Sequence, residues 1–213
     1  DGVDQKAGWL YFTASPDNPA QRYLYRAKLG GGKPERVTPV ANAGTNAYDI
    51  APDARFAWHT HSSFGTPPVI SLVELPSHRV VRTVVQNERL KARLAALRRG
   101  EVEFTKVDIG GGTALDAYVM KPVGFDPARK HPILFQVYGG PGSQTVFDAW
   151  GGQQYLWHTM LTQMGFAVAS VDNRGTGARG KAWRDVIYGQ LGVVETRDQA
   201  AAARAIGRWS YVD

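Results

Sequence analysis

The segment best suited to chemistry is a glycine-rich loop headed by a tyrosine. Tyr138-Gly139-Gly140-Pro141-Gly142 follows directly on the apolar run Ile133–Val137. Glycines let a backbone and a bound molecule approach closely. A phenol with a pKa of about 10 stays a hydrogen-bond donor at neutral pH. About thirty residues on, Phe166–Val171 is a second apolar run, and it leads through Asp172 into a second loop, Asn173-Arg174-Gly175-Thr176-Gly177. Open α/β sheets place their sites in the crevice outside the carboxyl ends of the strands, which is where both loops fall.

A hydrolytic site on such a sheet carries its nucleophile on a strand-to-helix turn, G-x-S-x-G. The serines are 15, 62, 63, 71, 77, 143, 170 and 210, and none has Gly two positions before it. Asp172 is not read as a triad acid. In that fold the chain order is Ser, then Asp or Glu, then His, and Asp172 precedes the place where the serine would stand, so it reads as a turn residue. Arg174 could meet a substrate carboxylate, but its place at a glycine-rich bend reads as structural, paired with Glu195 or Asp198. His59 and His61 share one face of a regular strand and could hold a metal. No third ligand pattern accompanies them, so no metal is expected. No dinucleotide fingerprint, P-loop or zinc spacing occurs, and no cofactor is expected. Gly110-Gly111-Gly112 reads as a hairpin turn.

Composition is that of an ordinary globular chain. The 213 residues are 43% hydrophobic and 21% charged, with no cysteine and a net charge of +6. Disulfides and thiolate chemistry are excluded. No run of eighteen apolar residues suggests a membrane span. The basic residues cluster in Glu88–Arg99, where Leu90, Leu94 and Leu97 recur at helical spacing. That pattern reads as the solvated face of a docked connecting helix. No aromatics interleave with the basic residues, so nucleic acid is not an expected partner.

The elements that would position the loops divide in two. Up to about residue 86 short strands alternate with turns: Gly8–Thr13, Tyr23–Leu29, Ala47–Ile50, Arg55–His61, Val69–Leu75 and Val80–Val85. Ala51-Pro52-Asp53-Ala54 reads as a tight turn with Pro at its first corner. Such spacing suits a sandwich, barrel or propeller. Residues 87–213 alternate strand and helix, the α/β pattern. Glu101–Ile109 and Ala114–Lys121 form a hairpin. Ile133–Val137, apolar on both faces, reads as a parallel central strand. Gln153–Met164 is a helix stopped by Gly165. Thr196-x-x-Gln199 resembles a capping box opening a helix that runs through Ile206.

Taken together, Tyr138-Gly139-Gly140-Pro141-Gly142-Ser143-Gln144, Val171–Gly177, Leu191-Gly192 and Glu195-x-x-Asp198-Gln199 resemble the prolyl oligopeptidase family of serine peptidases. Within it the bacterial-type dipeptidyl peptidase IV branch fits best. Gly8–Thr13 and His61-Ser62-Ser63 resemble the closing part of that family's propeller. The resemblance implies a mixed fold, with the C-terminal part of a β-propeller in residues 1–86 followed by the N-terminal part of an α/β-hydrolase domain in residues 87–213. It implies a peptide substrate cleaved through an acyl-enzyme, with Tyr138 as oxyanion donor. It favours a periplasmic or secreted setting and is compatible with a homodimer. The nucleophilic serine, triad aspartate and histidine would follow residue 213, and the glutamates that hold a substrate amino terminus would precede residue 1. These 213 residues alone would therefore be an inactive internal piece. Two rivals remain: another α/β-hydrolase peptidase or esterase, and a binding module derived from the peptidase fold.

Overall fold

The computed structural model describes residues 2–213. They form two compact units, one comprising residues up to Ala95 together with Phe147–Gly151, the other Ala96–Val146 with Gly152–Asp213.

The first unit holds two four-stranded antiparallel sheets in which sequence neighbours pair. One is β1 (Gly2–Asp4), β2 (Trp9–Ala14), β3 (Tyr23–Lys28) and β4 (Glu35–Arg36). The other is β5 (Thr45–Ile50), β6 (Phe56–Ser63), β7 (Thr66–Glu74) and β8 (Arg79–Val85). Each is an up-and-down meander, the form of a propeller blade. Strand alternation buries one face of each sheet. Tyr11 and Leu24 of the first sheet, with Val37 just past β4, share a core with Ala57 and Val73 of the second and Leu75 just past β7. The expected turn forms at Ala51–Ala54, where the Ala54 N–H reaches the Ala51 carbonyl at 2.8 Å. The short strands β1 and β4 carry too few residues to show a period. α1 (Glu88–Ala95) is shorter than the reading to Arg99. Leu94 is buried but Leu97 is exposed, so a further turn has nothing to bury.

The histidines of β6 lie on one face, as their spacing predicts, inside an aromatic stack. The His59 ring stacks on Tyr48 at 4.6 Å and meets His78 edge-on at 4.8 Å. Its Nε2 bonds the Asn46 side chain at 2.8 Å, and that of His61 bonds the Ala43 carbonyl at 2.7 Å. Among the described residues no three His, Cys, Asp or Glu come together as metal ligands. Burial, with His78 and His61 nearby, pushes the His59 pKa from 6.5 down to about 3. The unfolded chain therefore takes up a proton on His59 at a higher pH than the folded chain does. The stability from burying the neutral ring is complete above the unfolded value and is lost as pH falls toward the folded one. We expect the melting temperature to drop between about pH 7 and pH 4. His59→Phe, which keeps the stacked ring but cannot titrate, should flatten that slope. An unchanged slope in the variant would contradict this.

The second unit is built on one mixed sheet, in the order β11 (Ile133–Gln136), β12 (Ala167–Val171), β10 (Ala114–Met120), β9 (Val102–Asp108). β9 and β10 form the predicted hairpin, β12 runs antiparallel to β10, and β11 runs parallel to β12. Leu115, Ala117 and Val119 of β10 and Ala169 and Val171 of β12 face Ala202 and Ile206 of α4 (Val194–Ile206). α2 (Gly152–Gln163) packs against β10 and β12. α3 (Lys181–Asp185) is a single short turn with no buried side chain, which is why no pattern announced it. Among the described strands β11 lies at the sheet edge and is half-buried, not central. Beside its entry the His131 N–H bonds the Tyr211 carbonyl at 2.8 Å, and Val212 bridges His131 in parallel. The parallel crossover β11–α2–β12 aims the carboxyl ends of both strands the same way, so their two loops meet.

Candidate active site

Tyr138 leaves the sheet just past the end of β11 and is 63% exposed. Its ring lies against the next glycine but one. A Cβ on Gly140 would sit 2.8 Å from the ring's Cε1 and 3.3 Å from its hydroxyl oxygen. Glycine at 140 therefore makes room for the ring. Gly139 has φ of +75°, a backbone region L side chains rarely adopt. A Cβ there would approach Asn173 Oδ1 to 3.2 Å. Among the described residues the Tyr138 hydroxyl has no hydrogen-bond partner.

The second loop holds the first. Asn173, fully buried, donates from Nδ2 to the Gly139 carbonyl at 3.1 Å and to the Arg174 carbonyl at 2.7 Å. Its Oδ1 accepts from Gln199 Nε2 at 2.9 Å. Two backbone bonds join the loops further along, Gly142 N–H to the Gly175 carbonyl and Gly177 N–H to the Ser143 carbonyl. Arg174 is locked by Asp198, which accepts from its Nε at 2.9 Å, its Nη2 at 2.6 Å and its backbone N–H at 3.0 Å. Of the two partners expected for Arg174, the structure selects Asp198.

Asp172 is more than a turn residue. It is 1% exposed and accepts from the Thr145 N–H at 2.7 Å, the Val146 N–H and Arg179 Nη2 at 3.0 Å. Burial raises its carboxyl pKa, against the pull of the Thr145 N–H and the Arg179 charge. The Arg179 side chain is 7% exposed and also bonds Asp116 at 2.6 Å. Burial of Asp116 is outweighed by its bonds to Lys106 and Arg179, which hold its pKa below the usual range. These ties brace the loop from Gly142 to Val146 against the sheet.

The expected capping box does not form. α4 begins at Val194, and its N-cap makes no side-chain hydrogen bond. The Thr196 hydroxyl donates back to the Gly192 carbonyl, the Gly192 N–H reaches Glu195 Oε2, and Gln199 turns inward to Asn173 and the Val171 carbonyl. The loop's need for an anchor takes the glutamine from its helix-capping role. Between Tyr138–Gly140 and the entry to α4 lies an open cavity of about 510 Å³, also lined by Val137, Leu191, Glu195 and Ala200. Its walls are mostly apolar.

A model of the prolyl oligopeptidase family matches residues 153–213, and a model of the dipeptidyl peptidase IV (DPP IV) N-terminal region matches residues 1–68. A probable dipeptidyl-aminopeptidase B of Paracoccidioides lutzii is 33% identical over 218 residues, which is all of this chain and 23% of that protein. Its counterpart in Aspergillus clavatus is 31% identical over 99% of this chain, again 23% of the relative. The chain thus spans under a quarter of the length of these relatives. The crystal structure of Porphyromonas gingivalis dipeptidyl peptidase 4 superposes on the whole chain with a TM-score of 0.91 and 38% identity, over 29% of its own length. The chain belongs to the prolyl oligopeptidase family, in its dipeptidyl peptidase IV branch. Its antiparallel sheets are blades of that branch's propeller, and its mixed sheet is the first part of the α/β-hydrolase domain. A putative dipeptidyl aminopeptidase IV from Bacteroides ovatus, 24% identical with a TM-score of 0.80 over 29% of its length, shares the fold. No helix among the described residues is long and apolar enough to cross a membrane.

Against this dipeptidyl peptidase IV frame, Tyr138, Asp198 and Gln199 are residues the sequence singled out that the structure gathers around one pair of loops. Asn173 was visible only as part of a motif. Arg179 and Thr145 were missed, since a buried ion pair reached from an irregular loop leaves no periodic signal.

Proposed function

We propose that the protein to which these residues belong is a serine exopeptidase that releases N-terminal dipeptides, typically after proline, through an acyl-enzyme. The names of the similar proteins support this reading, and one observation carries it. Two glycine-rich loops at the carboxyl ends of parallel strands are tied together so that one displays an exposed tyrosine with a free hydroxyl beside a mostly apolar cavity. In this reading residues 1–86 are propeller strands and residues 87–213 open the peptidase domain. Tyr138 donates its hydroxyl proton in a hydrogen bond to the oxygen of the tetrahedral intermediate. Gly140 leaves room for the Tyr138 ring, and Gly139 for the Asn173 side chain that holds the loop. The parallel bridge from Val212 to His131 lies beside the entry to β11.

The whole protein should hydrolyse a Gly-Pro chromogenic substrate and lose that activity to a serine-directed phosphonate. Residues 1–213 alone should not turn it over. A whole protein that neither hydrolyses the substrate nor reacts with the phosphonate would instead be a binding module on the peptidase fold.

A further inference from the structure

We infer that Asn173 is a positioning residue for the Tyr138 hydroxyl, and that Gln199 is its anchor. The inference rests on the proposed role of Tyr138 and extends it to a residue that never touches the substrate. Among the described residues the Tyr138 hydroxyl has no hydrogen-bond partner to hold it, and the residue is more than half exposed. Its direction must come from the backbone it stands on. That backbone is glycine at 139 and 140, the residue type with the widest choice of conformation. An unrestrained Gly-Gly pair would let the phenol wander, and a hydrogen-bond donor stabilises a transition state only when it is fixed before the charge develops.

One side chain removes that freedom. Asn173 Nδ2 holds the carbonyl of Gly139, which fixes the plane of the Gly139–Gly140 peptide over which the tyrosine ring lies. The amide is set by two further partners. Gln199 Nε2 donates to its Oδ1, the Arg174 carbonyl accepts its second N–H, and Gln199 is itself held by the Val171 carbonyl. Because Gln199 lies in the second turn of α4, a regular helix forms the rigid end of this chain of contacts. The neighbouring Arg174–Asp198 pair fastens the same loop to the same helix. Loop, amide and helix thus make a bracket whose far end is the catalytic phenol.

A bracket acts on turnover through Tyr138, whereas an ordinary buried asparagine acts on folding alone. A double-mutant cycle in the whole protein separates the two. Asn173→Ala should lower kcat on the Gly-Pro chromogenic substrate about tenfold or more, with KM within about twofold. In a Tyr138→Phe background the same change should lower kcat less than about threefold, since the group it aims is gone. Equal losses in the two backgrounds, or a kcat for Asn173→Ala within threefold of the wild type, would overturn the inference. If Asn173→Ala does not fold, Gln199→Met takes its place in the cycle, with the same two outcomes decisive. Should Tyr138→Phe alone leave kcat unchanged, the oxyanion role and the bracket fall together. If Tyr138→Phe is slow but the cycle is additive, only the bracket falls.

Discussion

Tyr138→Phe in the whole protein should lower kcat by about a hundredfold or more and leave the melting temperature where it was. The two halves of this expectation rest on different grounds. The kinetic half follows from the proposed role of the hydroxyl as a donor to developing negative charge, which in comparable sites is worth roughly 3–4 kcal/mol of barrier. The stability half follows from the ring's exposure and from a hydroxyl with no partner among the described residues. No hydrogen bond among the described residues is lost when that oxygen is removed. Ground-state binding should change little, so the loss belongs in kcat with KM nearly constant. If the ring serves only to close the end of the strand, phenylalanine would serve as well. A variant within threefold of wild-type kcat would therefore remove the catalytic role from this residue.

Asp172→Ala should have the opposite profile, with a large loss of stability. The carboxylate is 1% exposed, pairs with an arginine that is 7% exposed, and accepts two backbone N–H groups. Deleting it leaves Asp116 as the remaining carboxylate on a guanidinium that otherwise bonds the Gly177 carbonyl and the Thr176 hydroxyl, and leaves the Thr145 and Val146 N–H groups without that acceptor. Breaking a buried pair by removing one partner costs about 3–5 kcal/mol. Denaturant unfolding should show a loss of that order, and a loss under about 1 kcal/mol would mean that the loop finds other partners. Asp172→Asn, which keeps an acceptor oxygen without the charge, should fall between the two.

The contrast between these two residues shows what the sequence could reveal. Tyr138 was legible because a glycine-rich loop after an apolar strand is a local signal, and its neighbours matched a family. The blade strands were legible from alternation and turn punctuation, and the Ala51–Ala54 turn from its proline. Asp172 was legible only by exclusion. Chain order ruled out a triad role, but nothing local revealed a carboxylate shared among Thr145, Val146 and Arg179, since those contacts span 27, 26 and 7 residues. The capping box failed for a related reason. Thr196 and Gln199 have the right spacing, but spacing cannot show that a distant asparagine competes for the glutamine. β11 reads as central because its residues are apolar on both faces, and a side-chain pattern does not report how many neighbours a strand has.

The short stretch Phe147–Gly151 bears on how such proteins can be recombined. It belongs to the first unit although the sequence places it deep within the second. The Asp148 carboxylate accepts the Phe64 N–H and the Gln21 amide, its backbone bonds Ala20 and Thr45, and the Phe147 ring lies under the Arg22 guanidinium. A crossover near Ala95 that exchanges the first unit for that of a relative would carry over Gln21, Arg22, Thr45 and Phe64 but leave their partners behind. A working chimera needs a second exchange at 147–151. In any set of natural relatives, these five positions should vary in step with the loop at 18–22, not with the strands that flank them in sequence.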